Sequence, residues 1–176
     1  MVFVVAIVAV LAAIAVPGMQ DMANSMVLGE QQRRVRSELQ QAKLLAVSTN
    51  RPIRVRFNCP SAGEYRITEL IGTPSKPHVN DTAATRCSEQ AFPYPAPDNT
   101  PLTRPNHDGP VRKLDTRVSF GSVQTIEFWP DGTARTDQGE LPWDIIDPGN
   151  AVAITLTKGA VVKTVTVNGL GKIEAQ

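Results

Sequence analysis

The sequence predicts an α+β fold: a long N-terminal hydrophobic α-helix, packed by its C-terminal half on an antiparallel β-sheet globular domain. Three observations carry that expectation. Residues 2–16 are uniformly apolar, the next thirty or so carry apolar side chains at helical spacing, and the chain beyond Pro52 alternates apolar and polar residues between turn signals. The boundaries follow: 1–27 is a hydrophobic helix, and 28–176 is an amphipathic helix plus a β-rich domain with a Pro-rich loop at 72–110.

The apolar run comprises Val2, Phe3, Val4, Val5, Ile7, Val8, Val10, Leu11, Ile14 and Val16 with interspersed alanines, and Pro17 closes it. At about 1.5 Å per residue it spans roughly 23 Å, short of the roughly 30 Å hydrocarbon core of a bilayer. A cleaved secretory signal fits the length, but the basic residues that precede such signals are missing. A buried core helix is the third option, yet a helix apolar on every side suits a membrane or a large interior. A chain of 176 residues has little interior to offer.

After Pro17 the pattern becomes amphipathic. Leu28, Val35, Leu39, Ala42 and Ala46 fall on one stripe, with Gln31, Arg34, Gln41 and Lys43 away from it, so a helix is expected over about 19–48. Pro17 should kink this rod or loosen it locally. Thr49-Asn50-Arg51-Pro52 should end it, because the residue before a proline is pushed out of the α region.

Strands are expected at 53–57, 65–68, 123–129, 133–136, 151–157, 161–167 and 172–174. In the first, Ile53, Val55 and Phe57 alternate with Arg54 and Arg56, so the arginines should face solvent. Pro130-Asp131-Gly132 and Lys158-Gly159 are the turn signals of two hairpins. Residues 72–110 hold eight of the fourteen prolines and no periodic apolar pattern, which reads as a solvated surface excursion. The two cysteines, Cys59 and Cys87, have no metal-binding spacing; in an exported chain they read as a disulfide rather than two free thiols.

Net charge is +1, which gives no global attraction to nucleic acid. The distribution is uneven: Arg33, Arg34, Arg36, Lys43, Arg51, Arg54 and Arg56 face a single acid, Glu38, over 33–56. Arg33, Arg34, Arg36, Arg54 and Arg56 are therefore the candidate contacts for a nucleic acid or a protein partner.

The segment VVAIVAVLAAIAVPG resembles the N-terminus of the type IV pilin and pseudopilin superfamily. With Asn50-Arg51-Pro52, the mid-chain IEFWPDGTA and the closing AVAITLT and VVKTVTVNGLGKI, the chain is similar to H-type minor pseudopilins and related minor pilins. The resemblance implies a structural subunit of a type II secretion pseudopilus or a type IV pilus. Such a subunit is held in the bacterial inner membrane by one span, with its globular domain in the periplasm, and it assembles through its N-terminal helix. Its partners would be other pilin or pseudopilin subunits, the inner-membrane assembly platform and, for the precursor, prepilin peptidase. The family's basic leader, first phenylalanine and fifth-position glutamate have no counterpart before Val2; five further residues would lengthen the apolar segment to about 30 Å.

Two other classes fit the sequence less well. Related minor pilins bind DNA in competence filaments, but the C-terminal end, Gly169 to Gln176, has one lysine offset by one glutamate, a poor phosphate site, and nucleic acid is disfavoured. An enzyme finds little support. His78 and His107 lie near Asp81 and Asp108 without paired ligand spacing, no GxSxG or P-loop motif occurs, and Trp129 and Trp143 read as packing anchors. No cofactor, metal or catalytic residue is expected.

Overall fold

Residues 2–49 form one helix, α1 (Val2–Thr49), in a computed structural model that describes residues 2–72, 81–96, 106–121, 123–137, 143–147 and 149–176, without the side chains of residues 2 and 5–20. Leu28, Val35, Leu39, Ala42 and Ala46, the stripe expected from spacing, are all fully buried. The helix continues past position 17. It ends where Asn50 turns left-handed at φ 53°, and the Arg51 N–H donates to the Ala46 carbonyl at 3.3 Å. Asn tolerates that conformation better than most residues, and the six-to-one bond satisfies a carbonyl the helix end leaves open.

The strands are β1 (Ile53–Phe57), β2 (Glu64–Glu69), β3 (Arg112–Lys113), β4 (Ser119–Phe120), β5 (Ile126–Phe128), β6 (Ala134–Thr136), β7 (Ala151–Lys158), β8 (Val161–Asn168) and β9 (Ile173–Ala175). Every ladder is antiparallel, but there are two sheets, not one: β3-β2-β1-β5-β6 and β4-β7-β8-β9. They meet where the Ala134 N–H donates to the Gly169 carbonyl at 2.9 Å. The strand expected over 123–129 is only β5, because its partner β6 reaches no further than Thr136 opposite Ile126. The two-residue strands β3 and β4 carry no periodic signal that could announce them.

Both sheets turn an apolar face toward α1. Ile53, Val55 and Phe57 of β1, Ile126 and Phe128 of β5, Ile154 and Leu156 of β7, and Val165 and Val167 of β8 share one core with the α1 stripe. Phe120 of β4 closes it from the second sheet, edge-on to Phe57 at 5.2 Å and to Tyr65 at 5.7 Å. Each such side chain contributes roughly 1.5–3 kcal/mol by leaving water, so the core rather than helix propensity holds the packed half of α1. Two polar ties seal the flank beside β8 and β9. The Gln32 side-chain amide donates to the carbonyls of Thr164 and Gln176, both at 2.7 Å, and Lys43 Nζ donates to those of Leu170 and Gly171.

That second tie depends on a glycine. Gly171 has φ +67°, and a Cβ there would lie 2.5 Å from the Gly132 carbonyl oxygen. Gly63 also has positive φ, +75°, but nothing lies within 4 Å of its Cβ position. Gly171→Ala should therefore lower stability by clearly more than the roughly 1 kcal/mol of backbone strain expected for Gly63→Ala. Urea midpoints of the two variants test this; equal losses would show that the close approach to Gly132 is not rigid.

Candidate functional site

The outward face of β1, which carries Arg54 and Arg56, was expected to meet solvent. It does not: the excursion folds over it, and Asp81, Arg86, Cys87 and Asp108 are buried there with Arg54, Arg66 and Glu127. Arg54, expected to be exposed, is 3% exposed. Its Nε and Nη2 donate to Glu127 Oε1 at 2.9 and 2.6 Å, its Nη1 donates to the Asp81 carbonyl at 2.8 Å, and its guanidinium lies 4.2 Å from the Trp143 ring centre. Arg56 is half-buried and donates to the Ala83 carbonyl at 2.8 Å. Burial, then the neighbouring charges of Arg54 and Arg86, lowers the Arg56 pKa from its usual value.

Among the described residues the covering chain makes no ladder with this face, so its carbonyls need donors, and a guanidinium supplies several from one rigid fork. Arg66 donates to the carbonyls of Gly109, Cys87 and Phe92 at 2.7, 3.2 and 2.8 Å. Arg86 pairs with Asp108 and donates to the Glu69 carbonyl at 2.8 Å. Carboxylates do the reverse. Asp81 accepts from the N–H groups of Ile71 and Gly72, both at 2.9 Å, and Glu69 accepts from those of Asn106 and His107 at 2.8 and 3.0 Å. A disulfide between Cys59, just past β1, and Cys87, at the end of a single 3₁₀ turn (Ala84–Cys87), fixes the cover covalently.

Other residues singled out in the sequence are dispersed. Arg33, Arg34 and Arg36 are exposed; at about 100° per residue Arg33 and Arg36 lie about 60° apart on one side of α1, while Arg34 points about 100° and 160° away from them. Phe3 and Val4 are exposed at 82% and 65%, while the side chains of Val2, Val5, Ile7, Val8, Val10, Leu11, Ile14, Val16 and Pro17 lie outside the described set. Among the described residues no helix is long and apolar enough to cross a membrane. His107 is exposed, His78 lies outside the described residues, and among the described residues no three metal-ligating side chains gather. Glu127, Arg66, Arg86 and Asp108 were missed. The available signal was phase: Arg66 in Tyr65-Arg66-Ile67 and Glu127 in Ile126-Glu127-Phe128 alternate with core residues as Arg54 does.

Besides a cleft of about 360 Å³ lined by Ser25, Met26, Gly29, Glu30, Arg33 and Lys163, two described clefts flank α1. One, of about 240 Å³, lies between the helix and the cover and is lined by Glu38, Gln41, Leu45, Ile67, Tyr94 and Arg112, among others. The other, of about 410 Å³, is lined by Gln40, Lys43, Leu44, Gly171 and Ile173. Beneath the first, the Tyr65 hydroxyl is buried without a hydrogen-bond partner, and burial, then the nearby Glu38 charge, pushes its pKa up to about 12.

Three outcomes test this geometry. Glu127→Gln, which leaves the buried Arg54 charge uncompensated, should cost on the order of 3–5 kcal/mol, whereas Arg117→Ala at the solvent-exposed pair with Asp115 should leave the urea midpoint nearly unchanged. Comparable urea midpoints for the two would show the cover's charges to be solvated. Denatured, unreduced protein should contain no titratable thiol, and two thiols would remove the bridge from the account. Because the folded state raises the Tyr65 pKa above its unfolded value near 10, its contribution is complete below pH 10 and fades as pH climbs toward 12. Tyr65→Phe should flatten the stability profile in that window, and an unchanged profile would place the hydroxyl in water.

Comparison with known proteins bears on the whole assembly of helix, sheets and cover. The sequence profile of the family described as type II transport protein GspH matches residues 31–171. Among solved structures, the type IV minor pilin FimU of Pseudomonas aeruginosa is similar in two crystal forms, at 13% identity and a TM-score of 0.47 in each. One alignment covers 84% of this chain and 91% of FimU, the other 91% and 92%. No curated protein matches the chain in sequence. The profile runs from the packed half of α1 to the β8–β9 turn, and this chain belongs to the type II transport protein GspH family, a minor pilin or pseudopilin subunit with a structural rather than an enzymatic role.

Proposed function

We propose that the chain is an inner-membrane-anchored minor subunit of a type II secretion pseudopilus or a related type IV pilus. In this reading it enters the filament by moving its N-terminal helix from lipid into a bundle of sister helices. The observation that supports it most is α1 itself: 48 residues, about 72 Å at 1.5 Å each, whose first fully buried side chain among the described ones is Leu28. Ahead of it Phe3, Val4, Met22 and Met26 stand exposed. Apolar surface of that kind needs a lipid or protein neighbour. Exchange between the two is cheap because both are dry, and Ala6, Ala9, Ala12, Ala13 and Ala15 permit close helix approach. The globular domain would then stand in the periplasm, and the assembly platform and prepilin peptidase would be its handling partners.

The DNA-uptake alternative is weaker. Of the five candidate arginines, Arg54 is engaged with Glu127 and Arg56 with the cover, and of the three exposed ones only Arg33 and Arg36 share a side of α1, with Arg34 turned away. Phosphate affinity scales with the number of phosphates neutralised at once, which this dispersal limits.

The test is fractionation of the full chain expressed in its secretion-competent host. Wild type should sediment with membranes and with sheared filaments. Ile7→Asp, which places a charge in the apolar run at about 2.5–3.5 kcal/mol, should shift it out of both. Recovery of wild type in the soluble fraction, indistinguishable from the variant, would overturn the proposal.

A further inference from the structure

The four-stranded sheet ends at β9 with an open edge among the described residues. The β8–β9 ladder uses one phase of the strand: Gln176 exchanges both backbone bonds with Thr164, and the Lys172 carbonyl accepts from the Asn168 N–H at 3.1 Å. Ile173 and Ala175 are in the other phase, so their N–H and C=O groups point away from β8. Ala175 is exposed, and among the described residues no strand lies beyond it to pair with that row of donors and acceptors.

Helix α1 lies along this edge. Gln32 holds the Gln176 carbonyl at one end and Lys43 holds that of Gly171 at the other, so the chain from Gly171 to Gln176 runs antiparallel to the helix. About 16 Å of helix separates the two ties, and about 16 Å of extended chain spans them. The helix side that borders the edge is basic and apolar. Arg36, which is exposed, lies about 20° around α1 from Lys43 and about 10 Å along it. Leu44, 70% exposed, joins Gln40, Lys43, Gly171 and Ile173 around the cleft of about 410 Å³. Among the described residues no ion pair engages Arg36 or Lys43. Glu174, the acid of β9, pairs with Lys172 at 2.7 Å, and alternation puts both on the opposite face from Ile173.

We propose that this groove receives an extended segment of a different filament subunit. The segment adds a strand to β9, lays an apolar side chain over Leu44 and turns an acidic one toward Lys43 or Arg36. A strand edge offers N–H and C=O groups together, and an extended peptide returns both, which neither a helix nor a nucleic acid does. Two cations without a carboxylate partner select an acidic segment over a basic one. That the donor is another filament subunit rests on the filament reading; the groove's fit to an acidic strand does not.

The probe is an end-blocked, fluorescent peptide alternating valine and threonine, with one valine replaced by glutamate, titrated into the full chain in detergent micelles. It should bind saturably, and exchanging its glutamate for glutamine should weaken binding about threefold, the scale of an exposed charge pair. Ala175→Pro deletes an outward N–H and leaves the ladder to β8 intact, so it should weaken binding about fivefold, the scale of one hydrogen bond. Leu44→Glu, at an exposed helix position, should weaken it as well without lowering the urea midpoint. Peptide affinity indifferent to Ala175→Pro and Leu44→Glu, or displacement of the peptide by an oligonucleotide of equal charge, would overturn the groove and leave the filament reading standing. In the secretion-competent host, a photo-reactive residue at position 44 should link to an extended acidic segment of another filament subunit, mapped by mass spectrometry, and Ala175→Pro should remove the link. A link to a helix or to a second copy would overturn the assignment. Links confined to proteins outside the filament, with the peptide behaving as expected, would count against the filament reading alone.

Discussion

The structure depends on one stripe of α1. Leu28, Val35, Leu39, Ala42 and Ala46 exclude water only because two separate sheets curve around the same helix face. A three-residue strand such as β5, β6 or β9 would be marginal alone, and each is held by what it packs on as much as by its ladder. The stripe also decides the architecture's polarity. Among the described side chains of α1, full burial begins at Leu28, with Val27 partly buried against the same core.

The second constraint is the outward face of β1, β2 and β5. A sheet covered on both faces ordinarily meets helices or another sheet, whose backbone groups are already bonded. Here an irregular, proline-rich segment does the covering, and its backbone is satisfied by side chains instead. Arg54 and Arg66 supply it with donors and Asp81 and Glu69 with acceptors, Arg86 and Asp108 of the segment bond the Glu69 backbone of β2 in return, and Cys59–Cys87 ties the segment at one point. Buried pairs of this sort add less net stability than their Coulomb attraction suggests, since desolvation opposes it, but removing one partner is costly. They specify one placement of the segment, and that placement forms the cleft beside Tyr94.

These two constraints connect fold to role. The core holds the half of α1 from Leu28 onward, and the cover shapes a flank of the globular domain. In a family of filament subunits, surfaces of that kind do what an active site does in an enzyme.

Much of this was legible in advance. The helix, its buried stripe, its stop at Asn50-Arg51-Pro52 and the long strands β1, β2, β7 and β8 follow from periodicity and turn chemistry, because those properties are local to a few residues. The partition into two sheets, the strands β3 and β4, and the fate of Arg54 were decided by tertiary structure. An alternating IRVRF states that two faces differ, not that the polar one will be covered. What covers it arrives from Asp81 and Asp108, 27 and 54 residues away, and charge pairing across such distances has no period to read.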